Sequence, residues 1–146
     1  GAQFWKGIGD PFTDVRFGRS PTFGAGAHSS YGPCTQAVNP NLSNCTTDGF
    51  ATSRAYGYRL LAVMDYPDVY QSISLKPRVF FAHDIKGNSA DGVFLEDRKS
   101  LGLALRAELL SGKYFAELSY TRFGNSAYFD PFKDRDFATA LVGVHF

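Results

Sequence analysis

Residues 98–124 read RKSLGLALRAELLSGKYFAELSYTRFG, and this stretch decides the fold. Its first half puts Leu101, Leu103, Leu105, Ala107 and Leu109 on one side, with Ser100, Gly102, Ala104, Arg106 and Glu108 on the other. After Leu110-Ser111-Gly112-Lys113 the alternation resumes, with Tyr114, Ala116, Leu118 and Tyr120 against Glu117, Ser119 and Thr121. A period of two is the signature of a strand with one apolar face, because successive side chains point to opposite sides. Two such runs joined by a short Ser-Gly segment predict an antiparallel hairpin.

The same pattern extends outward. Residues 71–84 place Ile73, Leu75, Pro77, Val79 and Phe81 opposite Ser72, Ser74, Lys76, Arg78 and Asp84. Residues 52–66 place Tyr56, Tyr58, Leu60, Ala62, Met64 and Tyr66 opposite Ser53, Gly57, Arg59 and Asp65, with Leu61 and Val63 as exceptions. Residues 137–146 close the chain with Ala138, Ala140, Val142, Val144 and Phe146 on one face. Residues 12–23 (FTDVRFGRSPTF) are a candidate sixth strand. Strands of about 10–15 residues exceed the usual five or six and suit tilted spans of a bilayer. Short and long connections alternate: Tyr66–Tyr70 and Leu110–Lys113 read as tight turns, and 24–50, 85–97 and 125–136 as long loops. Outer-membrane barrels connect their strands in this way, with short periplasmic turns and long extracellular loops.

Composition narrows the field. The net charge is +1 and no Lys/Arg run occurs, so no electrostatic footprint for nucleic acid is present. No apolar run approaches the length of a spanning helix. A barrel hides its membrane signal in alternation, so a mean hydropathy of -0.19 does not exclude it. No charged-then-apolar leader opens the chain, and a precursor's leader is expected to have been removed. Cys34 and Cys45 flank a polar, turn-rich stretch and predict a local disulfide in an oxidising compartment. Closing so short a loop contributes about 3 kcal/mol in the chain-entropy model. With no other cysteine and three histidines, a Cys/His zinc site is not expected.

Alternation does not say which face turns outward, since a soluble ligand-binding barrel alternates too. Aromatic placement favours the apolar face outward, toward outer-membrane lipid. Tyr66, Tyr70, Tyr114 and Phe146 gather at the turn ends, and Tyr56, Phe81, Tyr120 and Phe123 toward the loop ends, like two interfacial belts. The opposite orientation would put Arg59, Lys76, Arg78 and Arg106 in lipid, at roughly 2–4 kcal/mol each at mid-depth. The terminal aromatic strand looks like the signal read by bacterial barrel-assembly machinery.

From Tyr56 onward the chain resembles one family. The carrying segments are Tyr56-Gly57-Tyr58-Arg59 and Leu75-Lys76-Pro77-Arg78, followed by His83-Asp84-Ile85-Lys86-Gly87. Glu117-Leu118-Ser119-Tyr120-Thr121 and Asp134-Arg135-Asp136-Phe137 complete them. Together they are similar to proteobacterial outer-membrane proteins catalogued as domain of unknown function 1302, over about the last 90 residues. The resemblance implies a Gram-negative outer-membrane location and a link to moving hydrophobic compounds or lipids across the envelope. It also implies a periplasmic partner beside an energised exporter. Family members run to several hundred residues, and closure takes about eight strands. The expectation is therefore an all-β, antiparallel up-and-down transmembrane barrel to which this chain gives five or six strands, as its C-terminal part. The remaining strands would come from the rest of the barrel or from other chains.

Candidate functional residues are the charges of the inner face: Arg59, Asp65, Lys76, Arg78, Arg106, Glu108 and Glu117. Pairing of Arg106 or Arg78 with Glu117 or Glu108 would either brace the wall or line a polar path. His83 and Asp84 are adjacent on a strand and point apart, so a structural hydrogen bond at the loop end is expected of them rather than a catalytic dyad or a metal site. Asp134, Asp136 and Asp130 lack the spacing of a calcium loop, and no Gly-x-Ser-x-Gly motif is present. The sequons at Asn41 and Asn44 read as chance matches. No cofactor, metal or enzymatic activity is expected. The leading expectation is a passive conduit for hydrophobic or amphipathic compounds. The alternatives are a docking barrel that binds a protein through its long loops and a soluble barrel holding a lipophilic ligand.

Overall fold

The computed structural model describes residues 2–6, 19, 21–24, 26, 34–36, 39–124 and 129–145. The protein is all-β. Its strands are β1 (Ala2–Lys6), β2 (Arg54–Val63), β3 (Tyr66–Tyr70), β4 (Ile73–Lys86), β5 (Lys99–Leu109), β6 (Tyr114–Gly124) and β7 (Phe137–Val144). They form one antiparallel sheet in the order β1-β2-β4-β5-β6-β7, with β3 also paired to β4. Each long strand lies beside its neighbour in sequence, as the hairpin pattern requires. Among the described residues β1 and β7 are the edges and do not pair with each other.

Strands β2 and β3 act as one long strand broken at Met64-Asp65, and Pro77 is the cause. The Met64 N–H donates to the Pro77 carbonyl at 3.1 Å, so residue 77 turns its backbone polar groups toward this side of the sheet. Proline has no N–H to return, and the ladder lapses there. On its other side Pro77 pairs with Leu105 in a register that runs unshifted from Ile73↔Leu109 to His83↔Lys99.

Two expectations need correction here. Tyr66–Tyr70 is not the tight turn; it is strand β3, and the chain reverses at Gln71-Ser72. Both residues are left-handed, with φ of 44° and 65°, as a two-residue type I′ hairpin turn demands. The candidate strand at 12–23 ends in a 3-10 turn at Pro21–Phe23, and residues 12–18 and 20 lie outside the described residues. The sheet instead gains β1, whose Ala2↔Tyr58 to Lys6↔Arg54 register extends it past β2. The turn at 110–113 is as expected, with a Lys113 N–H to Leu110 carbonyl bond.

Burial is concentrated at one end. Phe50, Phe94 and Phe129 are buried in the long connections, with Ala55 and Ala82 beneath them on the strands. Cys34 and Cys45 form the disulfide, with Cα atoms 5.7 Å apart. Arg19 knots this cap: its guanidinium lies 4.4 Å over the Phe129 ring and donates to the carbonyls of Gly24, Asp48 and Asn44. Desolvation under these groups lowers the Arg19 pKa from its ordinary value, against the opposing pull of Asp48.

Candidate functional site

The register sorts the strands into two faces. One carries Tyr58, Leu60, Ala62, Leu75, Pro77, Val79, Leu103, Leu105, Leu118 and Ala140 in rows across β2, β4, β5, β6 and β7. The first charge on it, climbing from the turns, is Arg122, in the row of Phe81 and Leu101. The other face carries Arg59, Lys76, Arg78, Arg106, Glu108 and Glu117.

On β5 and β6 the apolar face is the more exposed one, whereas on β4 Arg78 and Phe80 of the charged face are exposed and Val79 and Phe81 are half-buried. Along β6, Tyr114, Ala116, Leu118 and Tyr120 are exposed, whereas Phe115, Glu117, Ser119 and Thr121 between them are half-buried. Leu118 is 65% and Val142 80% accessible. Along β6 this inverts the amphipathicity of a strand in a water-soluble sheet, which turns its charges out.

The charged face is cross-braced. Lys76 Nζ donates to Glu108 at 2.8 Å, and Arg106 Nε reaches the other oxygen of the same carboxylate at 2.8 Å. Glu108 thus takes two cations, one from the neighbouring strand and one from two residues back on its own. Glu117 lies directly opposite Arg106 in register but pairs with Arg78 on β4. Arg78 crosses β5 beside Ala104, whose small side chain leaves the path clear. Arg106 lies 4.1 Å over the Phe115 ring, a cation–π contact. Asp65, in the break between β2 and β3, lies near enough to Lys76 for mutual attraction.

A second charged group fastens the loop end. Asp84 is 1% exposed and sits between Arg59, with Nη2 2.5 Å from Oδ1, and Arg98, with Nε 3.0 Å from Oδ2. Its backbone also pairs with Asp97 and Arg98, and the Leu95 N–H donates to Oδ2 at 3.2 Å. The connection 87–98 is thereby tied over the charged face, with Phe94 5.4 Å from the Arg59 guanidinium. Gly57 makes the node possible: a Cβ there would lie 2.4 Å from the His83 carbonyl oxygen and 2.9 Å from the Asp84 Cα. Asp84 takes the charged face from the unbroken register that runs from Val63↔Arg78 to Gly57↔Asp84, and a bulge follows at once, where Ile85 is skipped before Tyr56↔Lys86. His83 points the other way and packs edge-on against Tyr58, with centroids 5.5 Å apart. In the same loop the Ser89 hydroxyl and the Val93 N–H hold the Asp91 carboxyl below its ordinary pKa.

Of the expected aromatic belts, Tyr56, Tyr66, Tyr70, Phe81, Tyr114 and Tyr120 fall on the apolar face. Phe123 does not. It pairs with Ser100, a residue of the charged face, and stacks on Phe132 at 5.6 Å. Phe146 lies outside the described residues. Asp136 serves as a loop base, accepting from the Phe123 N–H at 2.8 Å and the Tyr120 hydroxyl at 3.2 Å. Among the described residues no three His, Cys, Asp or Glu side chains are grouped to hold a metal.

The structural hydrogen bond expected at the loop end is present on Asp84, from the Leu95 N–H, but sequence reasoning missed its two arginines because Asp84 and Arg98 lie at strand ends, where alternation fades. The Asp84-x-x-Gly87 spacing before a loop was the available signal. It also missed a hollow of about 200 Å³ on the charged face, lined by Leu61, Arg78, Phe80, Gly102, Ala104 and Ser119.

The family model described as Protein of unknown function (DUF1302) matches residues 1–146. The chain belongs to the DUF1302 family. The match takes in residues before Tyr56, where the sequence resemblance alone was weaker. No curated protein and no solved structure shows significant similarity to the chain.

Proposed function

We propose that this DUF1302 chain is part of the wall of a Gram-negative outer-membrane β-barrel and serves as a passive conduit for hydrophobic or amphipathic compounds. The inverted amphipathicity of β6 carries the reading. Exposed Leu118 and Val142 are paid back only if their surroundings are apolar, at about 25 cal/mol per Å² of surface removed from water. From Ile73 to Phe81 the apolar rows rise ~27 Å along β4, or ~21 Å at a tilt of about 40°, near the height of an outer-membrane apolar band. Tyr66, Tyr70 and Tyr114 then mark the periplasmic interface, and Tyr56, Phe81 and Tyr120 the outer one.

In this reading the charged face lines the interior, and the Lys76–Glu108–Arg106 and Arg78–Glu117 pairs brace a polar wall. The edges β1 and β7 require pairing by further strands, because bare backbone edges are not tolerated in lipid. Those strands come from the rest of the barrel or from other chains. The barrel-assembly machinery is the partner for the last strand, and a periplasmic partner would meet the turn end. The test is a deletion strain: altered uptake or release of apolar compounds supports the conduit, and unchanged flux counts against it.

The loop cap supports a second reading. The Arg19 knot and the disulfide hold the long connections in one shape, as a docking surface for a protein partner requires. Stoichiometric co-purification without conductance would favour it. The third reading, a soluble barrel holding a lipophilic ligand, needs the apolar rows inside, and it predicts a chain soluble without detergent.

A further inference from the structure

The charged face is interrupted at mid-height. Leu61 on β2 lies beside Phe80 on β4, and Phe80 lies beside Gly102 on β5. Leu61 is 68% and Phe80 39% exposed, yet both share a face with Arg59, Lys76 and Arg106. Their row continues through small Gly102 and Thr121 on β5 and β6, and the next row toward the turns, that of Arg78, continues through Ala104 and Ser119. The two large apolar side chains therefore wall the hollow of about 200 Å³ whose floor is nearly bare backbone.

Charge brackets this hollow on both sides. Toward the loops stand Arg59, Asp84 and Arg98; toward the turns stand Lys76, Arg106, Glu108 and Glu117. A water-filled passage would gain nothing from an exposed phenyl and isobutyl pair between two charge clusters, since each costs hydration free energy. Arg78 stands on the rim, its side chain 47% exposed, and bonds Glu117 through one guanidinium nitrogen. Arg78 lines the hollow with a guanidinium whose N–H groups are donors only.

Resting on the conduit reading, the geometry points to a binding subsite for an apolar molecule with an acceptor-only head, such as a carboxylate. The apolar body lies on Leu61 and Phe80 over Gly102 and Ala104, and the head meets Arg78. A site of this kind holds a passing amphipath at mid-depth, and it makes Arg78 the residue that selects among heads.

The test uses the full-length protein in lipid nanodiscs, with octanoate and its neutral analogue octanol as probes and binding read by calorimetry. The wild type is expected to bind octanoate more tightly than octanol. Phe80→Ser and Leu61→Ser each weaken both probes by about tenfold. Arg78→Gln removes the preference for octanoate, weakening octanoate binding far more than octanol binding. Retention of the heat-dependent gel mobility shift certifies that each variant is folded. Saturable binding that Phe80→Ser leaves intact overturns the subsite, as does an Arg78→Gln variant that keeps the octanoate preference. Flux of amphipaths through the wild type is measured in parallel. Flux without a subsite sinks this inference alone, whereas absent flux sinks the conduit reading.

Discussion

Arg59 on β2 reaches across the sheet to Asp84 on β4, closing to 2.5 Å on a carboxylate that is 1% exposed. With Arg98 on the other oxygen, this contact pins the connection between β4 and β5 to the charged face. Removing the anion strands two guanidinium groups, of which Arg98 has a side chain only 14% exposed. Breaking a buried pair costs 3–5 kcal/mol, and the partial exposure of the arginines places Asp84→Asn near the lower limit, about 3 kcal/mol. The expected outcome is proteolytic cleavage within 87–98 while the strands stay protected. Unchanged protection of that connection would refute the fastening role.

The turn at Gln71-Ser72 carries two left-handed residues with side chains, where Asn-Gly is the preferred pair. Replacing both by Asn-Gly should raise stability by about 1 kcal/mol, since glycine at 72 removes one left-handed Cβ clash of about that size and asparagine at 71 tolerates the conformation. The temperature at which the folded band disappears on a detergent gel should rise. A fall would mean that the reversal is elsewhere.

The two faces of β6 make opposite demands. Leu118→Arg places a cation in the middle of the apolar rows, at roughly 2–4 kcal/mol in a membrane. Ser119→Arg, one residue on, joins the charged face and should cost well under half of that. Recovery of folded protein in the outer-membrane fraction should be low for the first and near wild type for the second. Equal recovery would contradict the face assignment.

Asp91 gives a pH dependence. Its folded pKa lies below the ordinary carboxyl value because the Ser89 hydroxyl and the Val93 N–H bond its charged form. Its contribution is therefore fully present above the unfolded pKa, about 3.9, and is lost as pH falls through the lower folded value. Amide exchange in 87–97 should quicken below about pH 4, and Asp91→Asn should flatten that dependence. A dependence that survives the substitution would assign it to another group.

Much of this was legible in the sequence, for a physical reason. Alternation from Leu101 to Leu109 and from Tyr114 to Tyr120 records which side of a pleated strand each residue occupies, and pairing follows from the short turn between them. The placement of Arg59, Lys76, Arg78, Arg106, Glu108 and Glu117 on one face came from the same source. The sequence also paired Arg106 or Arg78 with Glu117 or Glu108, and only which arginine takes which carboxylate was left open. Glu117 faces Arg106 in register, yet Arg78 takes it, because a long side chain can cross small Ala104 and Arg106 is drawn to Glu108 and Phe115. The Gln71-Ser72 turn was hidden because Ser72 fits the polar face of the alternation and neither residue is the Asn or Gly that left-handed turn positions favour. Phe123 was misassigned because a belt was inferred from position along the strand alone, and residue parity puts it with Ser100. Strand β1 carries five residues, too few for a pattern to declare itself.

The central claim is that Leu118 meets lipid and Ser119 does not. Nitroxide labels at these two adjacent sites, in the full-length protein reconstituted in bilayers, read it directly through their collision with oxygen and with a water-soluble nickel chelate. The account predicts a label at 118 accessible to oxygen and shielded from nickel, and a label at 119 shielded from lipid-borne oxygen. A label at 118 that meets nickel freely, or that is buried from both reagents, would contradict it and turn the apolar rows inward, as in a soluble ligand-binding barrel.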